Sequence, residues 1–258
     1  MKRMVATMLG IMGLAIVGAS GSVILSDFDP IAIDFAGFTA PDPWSNDGGT
    51  GGALNWNTWA FSSGTRTEVA ADFGTSTGTG RGTSTGGVTD NGIYAFEVAP
   101  GLNAWGFQAT GGFGSPGSLT LRVQNNTGGV LKEISVAYTA WYYNDEPRAG
   151  VLRPYYSLTN DGTSGSYLQA DGSNQDVNSP ADADDPPVWV SNDRGYTLTD
   201  LDVAQGDFVY LRWGFNDSGS GRRDEWALSS ITVTAIPEPG TFGLLALSGL
   251  ALARFRRR

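Results

Sequence analysis

The sequence predicts an all-β protein, an antiparallel two-sheet sandwich of the jelly-roll type with a terminal helix on each side. Short runs rich in aromatic and β-branched residues recur along the chain, separated by Gly, Pro and Asn. Glycine occurs 37 times in 258 residues and charged residues make up only 16%, which is typical of short strands joined by tight turns. Between the termini, no segment has the apolar spacing of an amphipathic helix.

Alternation of apolar and polar residues assigns faces to the clearest strands. Residues 119–124 predict a strand with Leu119, Leu121 and Val123 facing the core and Thr120, Arg122 and Gln124 facing water. A longer strand is predicted over 130–143, and the turn sequence at 125–129 predicts that these two strands form a hairpin. Further strands are predicted at 92–98, 104–109, 152–158, 188–190, 196–203, 208–215 and 228–234. The Gly/Ser/Thr-rich stretches at 48–52 and 74–92 predict long loops or a poorly ordered edge.

Composition excludes several function classes. The chain has no Cys and no His, which excludes disulfides, Ser-His-Asp and Cys-His catalysis, and His-bound zinc or haem. Between Ser20 and Ile236 there are 25 acidic and 10 basic residues, so the formal charge of this segment is near −15. A nucleic-acid partner is not expected, because phosphate recognition requires clustered Lys and Arg.

The first residues predict a signal peptide over 1–19. Lys2 and Arg3 precede an apolar stretch that ends in Val17-Gly18-Ala19, and small residues in that position favour cleavage after Ala19. The alternative is an uncleaved amino-terminal anchor, which also places the body outside the cytoplasm. We therefore expect three parts: a signal peptide at 1–19, a β-sandwich body at 20–235 and a tail at 236–258.

The tail combines three features. Pro237-Glu238-Pro239 is followed by an apolar stretch from Gly240 to Ala253, whose length as a helix would be about 21 Å. That is shorter than the hydrocarbon core of a bilayer, about 30 Å. The chain closes on Arg254, Arg256, Arg257 and Arg258, a basic cluster expected on the cytoplasmic side.

This order of features resembles the PEP-CTERM sorting signal of Gram-negative bacteria. The resemblance covers 237–258 and implies an exosortase-like membrane protease as partner, removal of the tail near Pro237-Glu238-Pro239, and transient anchoring in the inner membrane. It also implies a final location in the cell envelope or extracellular matrix, often with exopolysaccharide. A plain carboxy-terminal membrane anchor is the alternative.

The body also resembles a β-sandwich found in other exported PEP-CTERM proteins. The phrases that carry the resemblance are residues 105–108, 119–128 and 211–213. In that body the closing strand typically carries paired aspartates, whereas this chain has Ser229 and Ser230 there. The resemblance implies no particular activity.

Tryptophans suggest a carbohydrate-binding surface, because exposed indole rings stack on sugar rings. Trp56 and Trp59 lie in a Gly/Asn-rich region, and Trp141 and Tyr143 close a strand next to Asn144 and Asp145. These four aromatic residues are the candidates for an exposed platform. The alternative for any of them is core filling, which is the expectation for Trp105, Trp213 and Trp226.

Acidic residues suggest two further sites. The segment 171–185 supplies oxygen ligands suited to Ca²⁺ from Asp171, Asp176, Asp182, Asp184 and Asp185. The alternative is a solvated acidic loop. Asp224 and Glu225 are adjacent, and adjacent residues of a strand point to opposite faces, so they do not predict a catalytic pair.

These observations predict an exported, non-enzymatic envelope or matrix protein, with polysaccharide as the candidate ligand. No catalytic residue is predicted, and Ca²⁺ is the one candidate cofactor. The alternatives are a secreted glycan-active enzyme that uses carboxylates and a Ca²⁺-stabilised structural module.

Overall fold

The computed structural model describes residues 23–33, 35, 59–63, 80–109, 117–158, 167–217 and 221–237. The strands in the first half are β1 Val23–Leu25, β2 Ile31–Ile33, β3 Trp59–Ser63, β4 Gly80–Ser84, β5 Gly92–Ala99, β6 Leu102–Gln108 and β7 Gly117–Asn125. Those in the second half are β8 Ile134–Tyr143, β9 Gly150–Ser157, β10 Leu168–Gln169, β11 Val177–Asn178, β12 Trp189–Leu198, β13 Phe208–Asp217 and β14 Glu225–Ala235. A single turn of 3-10 helix covers Gly172–Gln175.

The first sheet is built on three long antiparallel strands in the order β7, β13, β9. One edge of β7 is shared by β1, which runs parallel to it, and β3, which runs antiparallel. The outer edge of β9 is likewise shared by β10 and β11. Short strands therefore complete both edges of this sheet.

The second sheet has the order β12, β8, β14, β6, β5, β4. All its pairs are antiparallel except β4 with β5. β14 is central: β8 lies on one side, and on the other side β6 pairs with its first residues and β2 with residues 231–233. The all-β, two-sheet prediction is confirmed.

The main core lies between the sheets, where the inward faces of both meet. Trp105, Trp213 and Trp226 are fully buried in it, as predicted. The alternation predicted for residues 119–124 is confirmed for its apolar members, since Leu119, Leu121 and Val123 are all buried. Thr120 is also buried, against prediction, because Arg212 of the neighbouring strand donates to its hydroxyl at 3.1 Å.

The predicted hairpin between β7 and β8 is wrong. β7 lies in the first sheet and β8 in the second, so residues 126–133 cross between sheets. The chain does turn after β7, but it does not pair back on β7. The Asn125 side-chain amide donates hydrogen bonds to the carbonyls of Gly129 and Val203, both at 2.8 Å. These bonds hold the connection against a loop from elsewhere in the chain.

Several strand boundaries also differ from prediction. β8 begins at Ile134 and not at Val130. Residues 189–190 and 196–198 of two predicted strands belong to one strand, β12, whereas the predicted residues 199–203 lie beyond its end. Part of the Gly/Ser/Thr-rich stretch forms β4 at the edge of the second sheet.

The predicted terminal helices lie outside the described residues. None of the helical structure in the described ranges has the length and apolar character needed to cross a bilayer.

Candidate functional site

The outer face of the second sheet carries a second hydrophobic cluster. Its buried members are Tyr94, Phe96, Val98, Ala104 and Ala227, and Val88, Leu102, Trp141 and Trp189 pack against them. A sheet face that points to solvent is usually polar. The apolar and aromatic character of this face therefore sets it apart from an ordinary solvated surface.

Ring contacts show that this face is concave. Phe96 on β5 and Trp189 on β12 have ring centroids 4.9 Å apart, although β8, β14 and β6 lie between their strands. A flat sheet would separate these positions by about 19 Å, since neighbouring strands lie about 4.8 Å apart. Tyr94 stacks on Phe96 at 5.0 Å and Tyr143 contacts Trp189 at 5.3 Å. The four rings form a continuous row across the curved face.

A turn at residues 84–88 closes one end of this face. The Trp189 indole N–H donates to the carbonyl of Thr85 at 2.8 Å, and the Val88 N–H donates to Glu225 Oε1 at 2.8 Å. Gly86 has φ +109° and lies against the Tyr143 ring, where an added Cβ would be 2.9 Å from ring atoms. Only glycine fits this approach. The turn therefore covers one side of Tyr143.

Trp141 and Trp189 are the tryptophans that remain half-buried on this face. Trp141 pairs with Ser191, and Trp189 stands two residues before Ser191 on the same strand, so the two rings are diagonal neighbours. The Trp141 indole N–H donates to Ser229 Oγ at 2.9 Å. In the next row the Thr139 hydroxyl donates to the exposed Asp193 at 2.7 Å. Polar hydroxyl and carboxylate groups thus border the two indoles.

Under the turn lies a pair of carboxyl groups that sequence reasoning missed. Glu225 is fully buried, and its side chain is in hydrogen-bonding contact with Asp145. Asp145 Oδ1 and Glu225 Oε2 are both buried and have no hydrogen-bond donor in the described part of the chain, so a proton retained by Glu225 and donated to Asp145 would satisfy both. Burial, together with the charge of Asp145, raises the pKa of Glu225 from 4.5 to about 9.

Charged neighbours surround this acid pair. Arg222 contacts Asp145 Oδ2 at 3.3 Å and Glu146 Oε1 at 2.5 Å. Burial also raises the pKa of Asp145, and the Arg222 charge opposes that rise. Asp224, adjacent in sequence to Glu225, instead accepts a hydrogen bond from the Glu146 N–H at 3.2 Å. The two carboxyls in contact are closer than the roughly 5 to 10 Å that separates catalytic pairs in glycosidases.

The other predicted site residues have mixed positions. Trp141 and Tyr143 lie on the concave face, whereas Trp56 lies outside the described residues and Trp59 is described only as part of the β3 backbone. Trp189, which is half-buried on the same face, was not singled out because a single Trp in a strand gives no sign of its face. Glu225 and Asp145 were missed as a pair because 80 positions separate them in sequence.

The predicted calcium loop has partners within the protein. Asp176 forms a salt bridge with Arg153 at 2.8 Å and accepts from Gln169 at 3.0 Å, and Asp171 accepts from Gln175 at 3.0 Å. Throughout the ranges that the structure describes, no three acidic side chains gather into a group that could hold a metal ion. Calcium binding at Asp182, Asp184 and Asp185 stays a prediction.

The last strand runs directly into the tail. β14 ends at Ala235, and the Ile236 N–H donates to the Glu133 carbonyl at 2.9 Å. Residues 235–258 match the model of the PEP-CTERM protein-sorting motif. The chain therefore ends in a PEP-CTERM sorting motif. Such a motif indicates an exported protein that is sorted to the cell envelope and processed by an exosortase.

Solved structures that are similar to this chain include carbohydrate-binding modules and an adhesin domain. The CBM22-1 xylan-binding domain of Paenibacillus barcinonensis Xyn10C is 8% identical, with 83% of this chain and 99% of that chain covered and a TM-score of 0.39. The K3 adhesin domain of Porphyromonas gingivalis Lys-gingipain is 13% identical, with coverages of 80% and 98% and a TM-score of 0.42. The cellulose-specific module CBM28 is 12% identical, with 70% and 90% covered and a TM-score of 0.38. No curated protein matches the chain. At these identities and TM-scores the likeness carries no information about ligands.

Proposed function

We propose that this PEP-CTERM protein is a non-enzymatic envelope or matrix protein that binds polysaccharide at the concave face of its second sheet. The observation that carries the proposal is the row of aromatic rings across that face, which includes the half-buried Trp189, together with the half-buried Trp141 diagonal to it. Indole rings stack on the apolar faces of sugars. Thr139, Ser191 and Asp193 border the indoles and supply partners for sugar hydroxyls.

Tyr143 has a different role in this proposal from the one predicted for it. The backbone of Gly86 covers one side of the Tyr143 ring, so Tyr143 forms the wall at the closed end of the concave face. Trp141 and Trp189 are the residues of this face that stack on sugar rings. A cleft with aromatic walls and few polar groups is the usual form of a small-molecule or glycan site. The absence of enzymatic activity stays a prediction.

The test is a polysaccharide-binding assay with the full chain in detergent, on a panel containing xylan, amorphous cellulose and an acidic polysaccharide. We expect Trp189→Ala and Trp141→Ala each to weaken binding of the preferred glycan about tenfold, the equivalent of roughly 1.4 kcal/mol. The matched control is Phe28→Ala, which removes an exposed aromatic ring between β1 and β2. Wild-type protein that binds nothing on the panel, or tryptophan variants that bind as well as the control, would refute the proposal.

A further inference from the structure

The sorting motif and the closing strand overlap. The motif covers residues 235–258, and Ala235 is also the last residue of β14. Ala235 is 1% exposed and belongs to the main core. No spacer therefore separates the folded body from the signal that directs its processing.

The backbone before Pro237 is fastened on more than one side. Thr232 to Ala235 pair with β8, and residues 231–233 pair at the same time with β2. Ile236 continues this attachment through its hydrogen bond to Glu133. Pro237 alone stands between the last bonded residue and Glu238.

An enzyme that holds an extended peptide does so mainly through hydrogen bonds to the peptide backbone. In the folded protein those backbone groups are already used within the second sheet up to Ile236. Releasing them would also expose Ile231 and Val233, which are fully buried. Removing large apolar side chains from a core is unfavourable, which opposes release of this segment.

We propose that the folded sandwich keeps the backbone up to Ile236 from a protease, so that the tail is removed before the end of β14 docks between β8 and β2. The proposal rests on processing at this segment and is independent of polysaccharide binding. In the step concerned, one peptide bond of the tail is hydrolysed: water supplies the hydroxyl of the new carboxyl terminus and the proton of the new amino terminus.

The experiment is a pulse-chase of the full chain in cells that contain the processing protease. One variant has a flexible Gly/Ser insertion of roughly six residues, about 20 Å when extended, between Ile236 and Pro237. The matched control has the same insertion between Pro180 and Ala181, two exposed residues of the loop between β11 and β12. We expect wild type and control to lose their tails only early in the chase, and the Ile236–Pro237 insertion variant to be processed throughout.

A second variant guards against effects of the insertion on folding. Val233→Ala weakens the end of β14 without changing the motif, and we expect it to lengthen the period in which the tail is cut. The proposal is overturned if wild-type chains are processed through the whole chase at the rate of the insertion variant. If no chain loses its tail, the tail is not processed at this segment, and the proposal that removal precedes docking of β14 is refuted as well. The result of the polysaccharide-binding assay does not depend on this outcome.

Discussion

At Glu225 a carboxyl group is fully buried beside another carboxyl, at the start of the closing strand. It keeps its proton at neutral pH because its pKa is raised to about 9. Its Oε1 meanwhile accepts the Val88 N–H and so holds the turn that covers Tyr143. Arg222, Glu146 and Tyr143 are the other ionisable groups around the pair. The acid pair thus links the wall of the concave face to the body of the sheet.

This arrangement predicts a pH dependence of stability. In the unfolded chain Glu225 ionises near its ordinary pKa of 4.5, whereas in the folded protein it does so near 9. Between these values the folded state retains a proton that the unfolded state has lost. The contribution of Glu225 to the free energy of unfolding therefore falls as pH rises from about 4.5 to 9, and is constant above that range.

Glu225→Gln should raise the stability at neutral pH. Glutamine mimics the protonated acid, since its amide can donate to Asp145 while its oxygen accepts from Val88. We expect a gain of about 1 to 3 kcal/mol at pH 7, measured by urea unfolding, and a smaller gain at pH 5. The control is Glu97→Gln, at an exposed acid that accepts the Gly101 N–H. A gain that does not grow between pH 5 and pH 9 would contradict the shared proton.

Among the elements, β14 changes its neighbour part-way along its length. Its first four residues pair with β6 and residues 231–233 pair with β2, and the register against β8 shifts between Ser229 and Thr232. Ser230 lies in this bulge with φ +52°, a conformation that suits glycine better than other residues. A bulge bends and twists a strand, and here it redirects β14 from one neighbour to the other.

Ser230→Gly should stabilise the protein, because it relieves the left-handed backbone of an exposed residue. We expect a net gain of about 0.5 to 1 kcal/mol in urea unfolding, because the left-handed conformation costs a residue with a Cβ roughly 1 to 2 kcal/mol and the extra entropy of glycine in the unfolded chain offsets only part of that. The same change at Ser135, in the regular part of β8, should lower stability by a similar amount, since glycine weakens an ordinary strand. If both variants lose the same amount of stability, the left-handed conformation of Ser230 does not lower the stability of the wild-type protein.

The strands themselves were largely predictable, because a period of two residues is set by local geometry. Leu119, Leu121 and Val123 could be assigned to the core from their spacing alone. The partner of each strand was less predictable. The turn after Asn125 signals a change of direction, but the side-chain bonds of Asn125 to Gly129 and Val203 decide that the chain crosses to the other sheet. A turn motif contains no information about that distant loop.

At the scale of the whole molecule, the candidate site depends on curvature. Phe96 and Trp189 meet only because the second sheet curls, and Glu225 meets Asp145 only because β14 and β8 are neighbours. Neither contact can be recognised from the residues that neighbour it in the sequence. Sequence analysis therefore found Trp141 and Tyr143, which close one strand together, and missed the residues that other strands bring to them.

The direction of β14 sets the distance between the aromatic face and the sorting motif. The strand starts at Glu225 beneath the aromatic face and finishes at Ala235, where the sorting motif begins. At about 3.3 Å per residue its length is about 33 Å, so the closed end of the aromatic face and the first residue of the sorting motif lie at opposite ends of this strand. The residues proposed to hold a glycan are thus separated from the carboxyl end of the body by most of the length of one strand.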